Sequence, residues 1–498
     1  MNLQDLVKGI PVERSSGNLN LDISGISQDS RSVKPGDLFL CVKGARFDGH
    51  HYLKQAYEAG AVAAVVSQWP DDDFGLTIIQ APEVSNPVIK EIAGAFYGYP
   101  DRYLKLIGVI GTNGKTTSTY LVKSILEAAG YRVGLIGTIA NLIGDQIIET
   151  ENDSHNTTPG VLELQRIFAA MQKAEIEYVI MEVSSHSIDQ NRVYGLSFIG
   201  GIFTNITQDH LDYHKTFAEY LKVKTRFFVE LPATAWAIFN LDDSHADGMI
   251  SQTSARVMTY GIDQPAQIKA EAITVHHSGV SFNVNWPGGN VQLNLHLTGY
   301  FNVYNSLGAF SAGLALGISP AVIKTGLERV PGVPGRFQTV PGATSFGVIV
   351  DYAHTPDGLE NILATGRGLT TRRLLLVFGC GGDRDRTKRP IMGELAAKMA
   401  DFTIITSDNP RTEDPLQIIQ EIETGFRKAN PAASYQTEPD RETAIRKAIA
   451  MADDSDIVII AGKGHETYQI FADRTVHFDD REIARAALEE RANGKLNA

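Results

Sequence analysis

The sequence predicts an α/β protein of three domains. From residue 104 onward, short apolar runs alternate with stretches of helical periodicity, the pattern of a mostly parallel sheet covered on both faces. A proline-bearing break at 99–101 precedes that pattern, and one rich in Pro and Gly at 330–336 interrupts it. The 498 residues are also more than one hydrophobic core usually serves. The expected domains are 1–102, 103–333 and 334–498.

The first block, a smaller N-terminal α/β domain, mixes short strands and turns, as in Ile26-Ser27-Gln28-Asp29-Ser30-Arg31. A helix-like stretch at 51–59 leads to Gly60 and the apolar run AVAAVV. Tyr99-Pro100-Asp101 reads as a linker, because proline and its predecessor resist helix. The second block opens with KLIGVIGTNGKTTSTYLVKSILEAAG: a buried strand, a glycine loop, then a helix ending near Gly130. Further strands are expected at 178–183, 199–204 and 235–239, giving this domain a parallel-sheet core. In the third block, strands at 347–350, 374–378, 402–406 and 457–461 run into DYAHTPD, GCGGDRDRTKR, SDNPRTEDP and GKGHE. Ligands of open α/β sheets bind at the carboxyl ends of strands, so four polar loops there point to one site on a Rossmann-like domain.

Hydrophobic content of 43% with 21% charged residues is ordinary for a globular chain. A net charge of −13 argues against nucleic-acid binding through a broad basic surface. Only Cys41 and Cys380 occur, which argues against a disulfide framework and fits a reducing cytoplasm. No signal peptide is visible, and no apolar run approaches the ~20 residues of a membrane span. A cytoplasmic monomer is expected.

Chemistry concentrates first in Gly111-Thr112-Asn113-Gly114-Lys115-Thr116-Thr117. Backbone N–H groups of such a loop, with the helix N-terminus behind it, cradle polyphosphate. Lys115 can reach the β- and γ-phosphates and the Thr116 hydroxyl can bind Mg²⁺. The longer phosphate-loop pattern wants glycine at Val109, so the match is to a shortened form of a P-loop-type ATPase domain. Glu182 in MEVSSH and His210 in TNITQDHLDYH each follow a predicted strand and are reasonable magnesium ligands. Each also has a plainer reading, as a surface carboxylate and as a satisfied loop histidine. Lys224, in YLKVKTRFF, cannot be told from a solvated helix lysine such as Lys222. Asn156, Thr157 and Thr158 form a polar turn, and Ser184, Gln190 and Arg192 a donor-rich segment suited to a carboxylate or phosphate. A surface ion pair explains Arg192 equally well. Arg384, Arg411 and Glu466 end different strands, a set that suits a zwitterion with several carboxylates. Helix capping is the competing role for Asp408 or Asn409.

GTNGKTT, MEVSSH, TNITQDHLDYH, the Lys224 helix, DYAHTPD and GKGHE, in that order, resemble the Mur ligases across the whole chain. SQDSR, NTTPG, GCGGDRD and DNPR resemble the branch that adds meso-diaminopimelate. The resemblance implies that Gly111 through Thr117 bind ATP, with His354 near the nucleotide. Ser30 would hold the UDP moiety, assisted by the 44–47 loop. Asn156, Thr157, Thr158, Ser184, Gln190 and Arg192 would contact UDP-N-acetylmuramoyl-L-alanyl-D-glutamate. Thr116, Glu182, His210 and a carbamylated Lys224 would hold Mg²⁺. Arg384, Asp408, Asn409, Pro410, Arg411, Gly462 and Glu466 would bind diaminopimelate. The implied activity is ATP-dependent amide-bond formation in peptidoglycan precursor synthesis. An L-lysine-adding ligase of the same family, a folylpolyglutamate-synthase-like ligase and a nucleotide-gated module without turnover remain alternatives. Ligands spread over three domains imply that domain closure completes the site.

Overall fold

Apolar runs and amphipathic helices build α/β layers throughout the computed structural model, which describes residues 1–44, 47–148, 156–207, 209–276 and 278–495. The side chains of Leu211 and Asp212 also lie outside the described set, as do Ala45 and Arg46 of the expected 44–47 loop. The chain divides into two compact units, Met1–Tyr260 with Ser311–Ser319, and Gly261–Phe310 with Pro320–Ala498.

The first unit carries two sheets. The N-terminal one runs Arg14–Ser16, Thr77–Gln80, Ala63–Val66, Asp37–Leu40, Gly25–Ser27, antiparallel only at its first pair. Its buried strand residues pack against helix Asn86–Tyr97, whose Val88, Ile89 and Ile92 turn inward. Gly98 ends that helix at φ +77, the left-handed position that glycine takes without strain. The segment expected as a linker, 99–101, runs into a short 3-10 helix between helix Asn86–Tyr97 and strand Lys105–Ile110. Pro100 opens a 3-10 helix, Pro100–Tyr103, where its missing N–H costs nothing, and Asp101 is buried 3.6 Å from Lys90.

The central sheet places Lys105–Ile110 between Phe198–Phe203 and Tyr178–Glu182, all parallel. Trp236–Asn240 and Arg256–Gly261 extend it on one side, and Val133–Ile136 on the other. All the strands expected here form, within a residue of their predicted ends. Helix Lys115–Ala128 stops before Gly130, as its φ of +90 requires.

In the second unit, Gly347–Asp351, Ile457–Ala461, Leu374–Phe378, Phe402–Thr406 and Tyr435–Glu438 lie parallel in that spatial order. Gln338–Thr339 adds an antiparallel edge. Leu, Ile and Val fill both faces of the sheet, with separate buried clusters on each side. A meander of Ile268–His276, Gly279–Trp286 and Gly289–Leu295 also belongs to this unit; sequence reasoning passed it over, although GVSFNVNW and GNVQLNL alternate apolar and polar residues about a Pro-Gly turn. Among the described residues no helix is long and apolar enough to cross a membrane.

Candidate active site

The glycine loop of the first unit ends at Gly114, φ +83, and hands over to a helix whose first turn has no side-chain cap. Its leading N–H groups therefore lack a side-chain acceptor, the arrangement that suits an anion. The loop itself is held from behind. Thr112 N donates to Asn205 O at 2.9 Å, Asn113 N to Asn205 Oδ1 at 3.0 Å, and Thr204 Oγ1 to Asn113 O at 2.6 Å. At Gly111 a Cβ would stand 1.8 Å from Thr204 Oγ1, so any other residue would have to displace the hydroxyl that holds the Asn113 carbonyl. Thr116 and Thr117 are buried, and Lys115 Nζ donates to the carbonyls of Gly111 and Thr112 at 2.9 and 2.7 Å.

Lys224 separates sharply from its neighbour. Lys222 keeps 78% of its side chain exposed, whereas Lys224 is 1% exposed on helix Phe217–Val229. Its Nζ donates to Gly111 O at 2.7 Å and lies 4.7 Å from the Tyr220 ring centroid. Burial, and then the charge of Lys115, pushes its pKa well below the ordinary lysine range. Tyr220 ties the same helix to the phosphate loop, its hydroxyl 3.0 Å from Thr112 Oγ1.

Glu182 is no surface carboxylate. It ends its strand 1% exposed and accepts from Thr138 N at 2.9 Å and Thr138 Oγ1 at 3.1 Å. Among the described residues it has no cationic partner, and a buried carboxylate left uncompensated is costly. That is a physical reason for a cation to bind there. His210 differs: it lies seven residues beyond its strand, at φ +53, partly exposed, with Nε2 3.5 Å from Asp209. Its ring stands 4.9 Å from that of His186. Among the described residues no three His, Cys, Asp or Glu side chains are spaced to hold a metal.

The polar turn and donor-rich segment join through hydrogen bonds. Thr158 Oγ1 donates to Glu182 O at 2.8 Å and accepts from Ser184 N at 3.1 Å, while Thr138 Oγ1 reaches Thr157 Oγ1 at 3.1 Å. Arg192 donates to Gln190 Oε1 at 2.9 and 2.6 Å and to Thr158 O at 2.8 Å. It has no carboxylate partner among the described residues, so the surface ion pair is set aside. Burial lowers its pKa. Asn156 is exposed, and Ser30 is buried with its hydroxyl donating to Gln55 Oε1 at 2.9 Å.

In the second unit the four loops following Asp351, Phe378, Thr406 and Ala461 stand at one edge of the sheet. His354 lies in the first of them, its Nδ1 2.9 Å from Tyr352 O. The next two are clasped together. Gly382 N donates to Asn409 O, Arg411 Nη1 donates to Gly382 O at 2.9 Å, and Thr412 Oγ1 donates to Asp383 Oδ1 at 2.7 Å. A Cβ at Gly382 would meet Pro410 O at 1.8 Å. Below the clasp, fully buried Arg389 joins Glu413 and Glu421 to the Gly381 carbonyl and holds the Glu413 carboxyl down at about 2. Neither Arg384 nor Arg411 meets a carboxylate among the described residues; both guanidiniums reach only backbone carbonyls. Arg411 sits at φ +52. The capping role for Asp408 and Asn409 is excluded, since Asp414 caps the helix that follows. Asp408 accepts from Asn409 N at 2.6 Å, and Gly462 sits at φ +118, where a side chain is strained and its Cβ would stand 2.6 Å from Asp408 Oδ2. Glu466 already holds a partner, Lys463, at 3.1 Å.

Sequence reasoning passed over Thr138, Tyr220, Arg389, Arg441 and Lys463. Arg441 and Asp480 form a fully buried pair, and the guanidinium also donates to Ser407 O and Ala461 O, where two of the loops begin. Lys463 stood inside the GKGHE motif, which was the one available signal.

A glycine loop opening an uncapped helix beside a parallel sheet defines a nucleotide-binding α/β enzyme. The Mur ligase middle domain matches residues 109–313, the glutamate ligase domain of Mur ligases matches 335–464, and the Mur ligase catalytic domain matches 22–97. The chain belongs to the Mur ligase family. A UDP-N-acetylmuramoyl-L-alanyl-D-glutamate–2,6-diaminopimelate ligase of Clostridium botulinum is 45% identical, covering 98% of this chain and 100% of its own length. The ligase of the same description from Geobacillus thermodenitrificans is 46% identical over 99% and 100%. A solved ligase of that description superposes with a TM-score of 0.69 at 30% identity, over 99% of both chains. The MurF ligase of Thermotoga maritima in complex with ADP shares the fold, with a TM-score of 0.64 at 16% identity over 94% of this chain and 98% of that one.

Proposed function

We propose that this chain is the ATP-dependent ligase that joins meso-diaminopimelate to the D-Glu γ-carboxylate of UDP-N-acetylmuramoyl-L-alanyl-D-glutamate, a step of peptidoglycan precursor synthesis. The observation that carries the choice of amino acid is the pair Arg384 and Arg411. Two guanidiniums without carboxylate partners among the described residues, on adjacent loops, suit a ligand that brings two carboxylates. L-Lysine would bring only one. The full-length relatives, at 45 and 46% identity, support the same reading.

The substrate γ-carboxylate attacks the γ-phosphorus of ATP, giving an acyl phosphate and ADP. Lys115 and the N–H groups behind Gly114 offset the charge that two anions bring together. The diaminopimelate amine then attacks the acyl carbon, loses a proton, and the tetrahedral intermediate expels phosphate. Positioning supplies much of the rate. Thr116, Glu182, His210 and Lys224 carrying a carbamate would hold Mg²⁺, whose charge screens the phosphates.

Residues 1–102, with Ser30, are assigned to the UDP moiety, 103–333 to ATP, and 334–498 to the amino acid. His354 is assigned to the nucleotide; Asn156, Thr157, Thr158, Ser184, Gln190 and Arg192 to the UDP substrate. Asp408, Asn409, Pro410, Gly462 and Glu466 complete the amino-acid set. A monomer working in the cytoplasm, where ATP and UDP-sugars are made, completes the proposal. Release of ADP, measured with the UDP-dipeptide and either meso-diaminopimelate or L-lysine, tests it. ADP release that depends on meso-diaminopimelate is expected; a preference for L-lysine refutes the assignment.

A further inference from the structure

Lys463 follows strand Ile457–Ala461 and is completely buried. Its Nζ donates to Asn409 Oδ1 at 3.0 Å and to Glu466 Oε2 at 3.1 Å. Asn409 Nδ2 donates to that same glutamate oxygen at 2.8 Å, and Ile470 N donates to Asn409 Oδ1 at 3.0 Å. An ammonium has donors only, so the amide must turn its oxygen toward Lys463 and its nitrogen toward Glu466. Glu466 Oε2 then takes two donors, while Oε1 has no partner among the described residues.

A fully desolvated ammonium is expensive, and a buried ion pair is weak evidence of a stability role. Every hydrogen bond that Nζ makes among the described residues ends on one of two side chains assigned to the amino acid. The charge is therefore placed where it shapes the ligand site.

We infer that Lys463 is a positioning residue for amino-acid recognition: it orients the Asn409 amide and holds Glu466 by one oxygen, leaving the other to meet the ligand's ammonium group. This rests on the assignment of Asn409 and Glu466 to the amino-acid site. Positioning through a third residue predicts coupling, because removing Lys463 costs little once Glu466 can no longer bind an ammonium.

Steady-state kinetics on the full chain with Lys463→Met, Glu466→Gln and the double variant test this. Methionine keeps an unbranched stem in the same space. Each single change should raise KM for meso-diaminopimelate about tenfold or more, with KM for ATP within about twofold of the parent. The double variant should be no worse than the worse single one. An unchanged KM for meso-diaminopimelate in Lys463→Met overturns the inference, and so do effects that multiply in the double variant. Lys463→Arg, which keeps the charge but moves the donors, decides the case of an unstable methionine variant. It should raise KM for meso-diaminopimelate alone, and a parental value overturns the inference. A parent enzyme inactive with meso-diaminopimelate would instead defeat the underlying reading, before any variant is made.

Discussion

Lys115 and Lys224 donate to one acceptor, the Gly111 carbonyl oxygen, at 2.9 and 2.7 Å. Their nitrogens thus lie within two hydrogen-bond lengths of each other, with Lys224 cut off from water. Burial first, and the Lys115 charge second, favours the neutral amine on Lys224. A neutral amine is the form that adds carbon dioxide with loss of a proton, and a carbamate formed there would put an oxygen ligand in place of a buried cation.

If that carbamate serves the reaction, Lys224→Ala is inactive and short carboxylic acids added to the assay partly restore it. Intact-protein mass of the parent should show an extra carboxyl group on this lysine. Full activity with an unmodified Lys224 refutes the idea.

The same depression has a consequence for stability. The unfolded chain binds a proton that folded Lys224 resists, so the folded state is penalised fully below the folded pKa. The penalty fades as pH rises toward the ordinary lysine value of 10.5. In carbon-dioxide-free buffer Lys224→Met should melt above the unmodified parent at neutral pH, with the gap narrowing toward pH 10. A gap that widens with pH contradicts this sign.

Lys115→Ala should abolish ligation and leave the fold intact. Lys115 is only half-buried and donates to two loop carbonyls, so its loss opens no core. Circular dichroism checks the fold and ADP release the activity. Near-parental turnover would sink the assignment of the loop to ATP.

Arg411→Ala should lose efficiency with meso-diaminopimelate by roughly 30-fold to a few thousand-fold, the range for truncating one partner of a desolvated charge pair. Any weak activity with L-lysine should change little, because lysine lacks the far carboxylate. Arg384→Ala should damage both amino acids if it holds the carboxylate common to them. Competition between the two amino acids in one assay reads the ratio directly, and a parental preference retained by Arg411→Ala defeats the role.

Much of this was legible in the sequence because strand ends and loops are local. Each C-terminal loop follows a run of Leu, Ile and Val, and the four runs became neighbouring parallel strands. Lys224 was legible only through family resemblance. It differs from Lys222 by roughly 200° around a helix, and which side faces the core depends on packing from elsewhere. Glu182, too, is bonded by Thr138, 44 positions away, a partner no local pattern shows. At 99–101 the proline was legible as the end of a helix, but not the 3-10 turn it opens, since its missing N–H costs nothing at a first turn.

The buried pair Arg441 and Asp480 also bears on how the molecule is made. Arg441 steadies the carbonyls of Ser407 and Ala461, where two of the four C-terminal loops begin, and its counter-charge sits on helix Asp480–Ala492. A ribosome translates all four loops before it reaches Asp480. A nascent chain stalled ahead of that codon has its phosphate loop and its central strands, but an arginine in the core of the last domain without its anion. Helix Asp480–Ala492, translated after all four loops, thus supplies the anion that lets Arg441 hold the start of two of them.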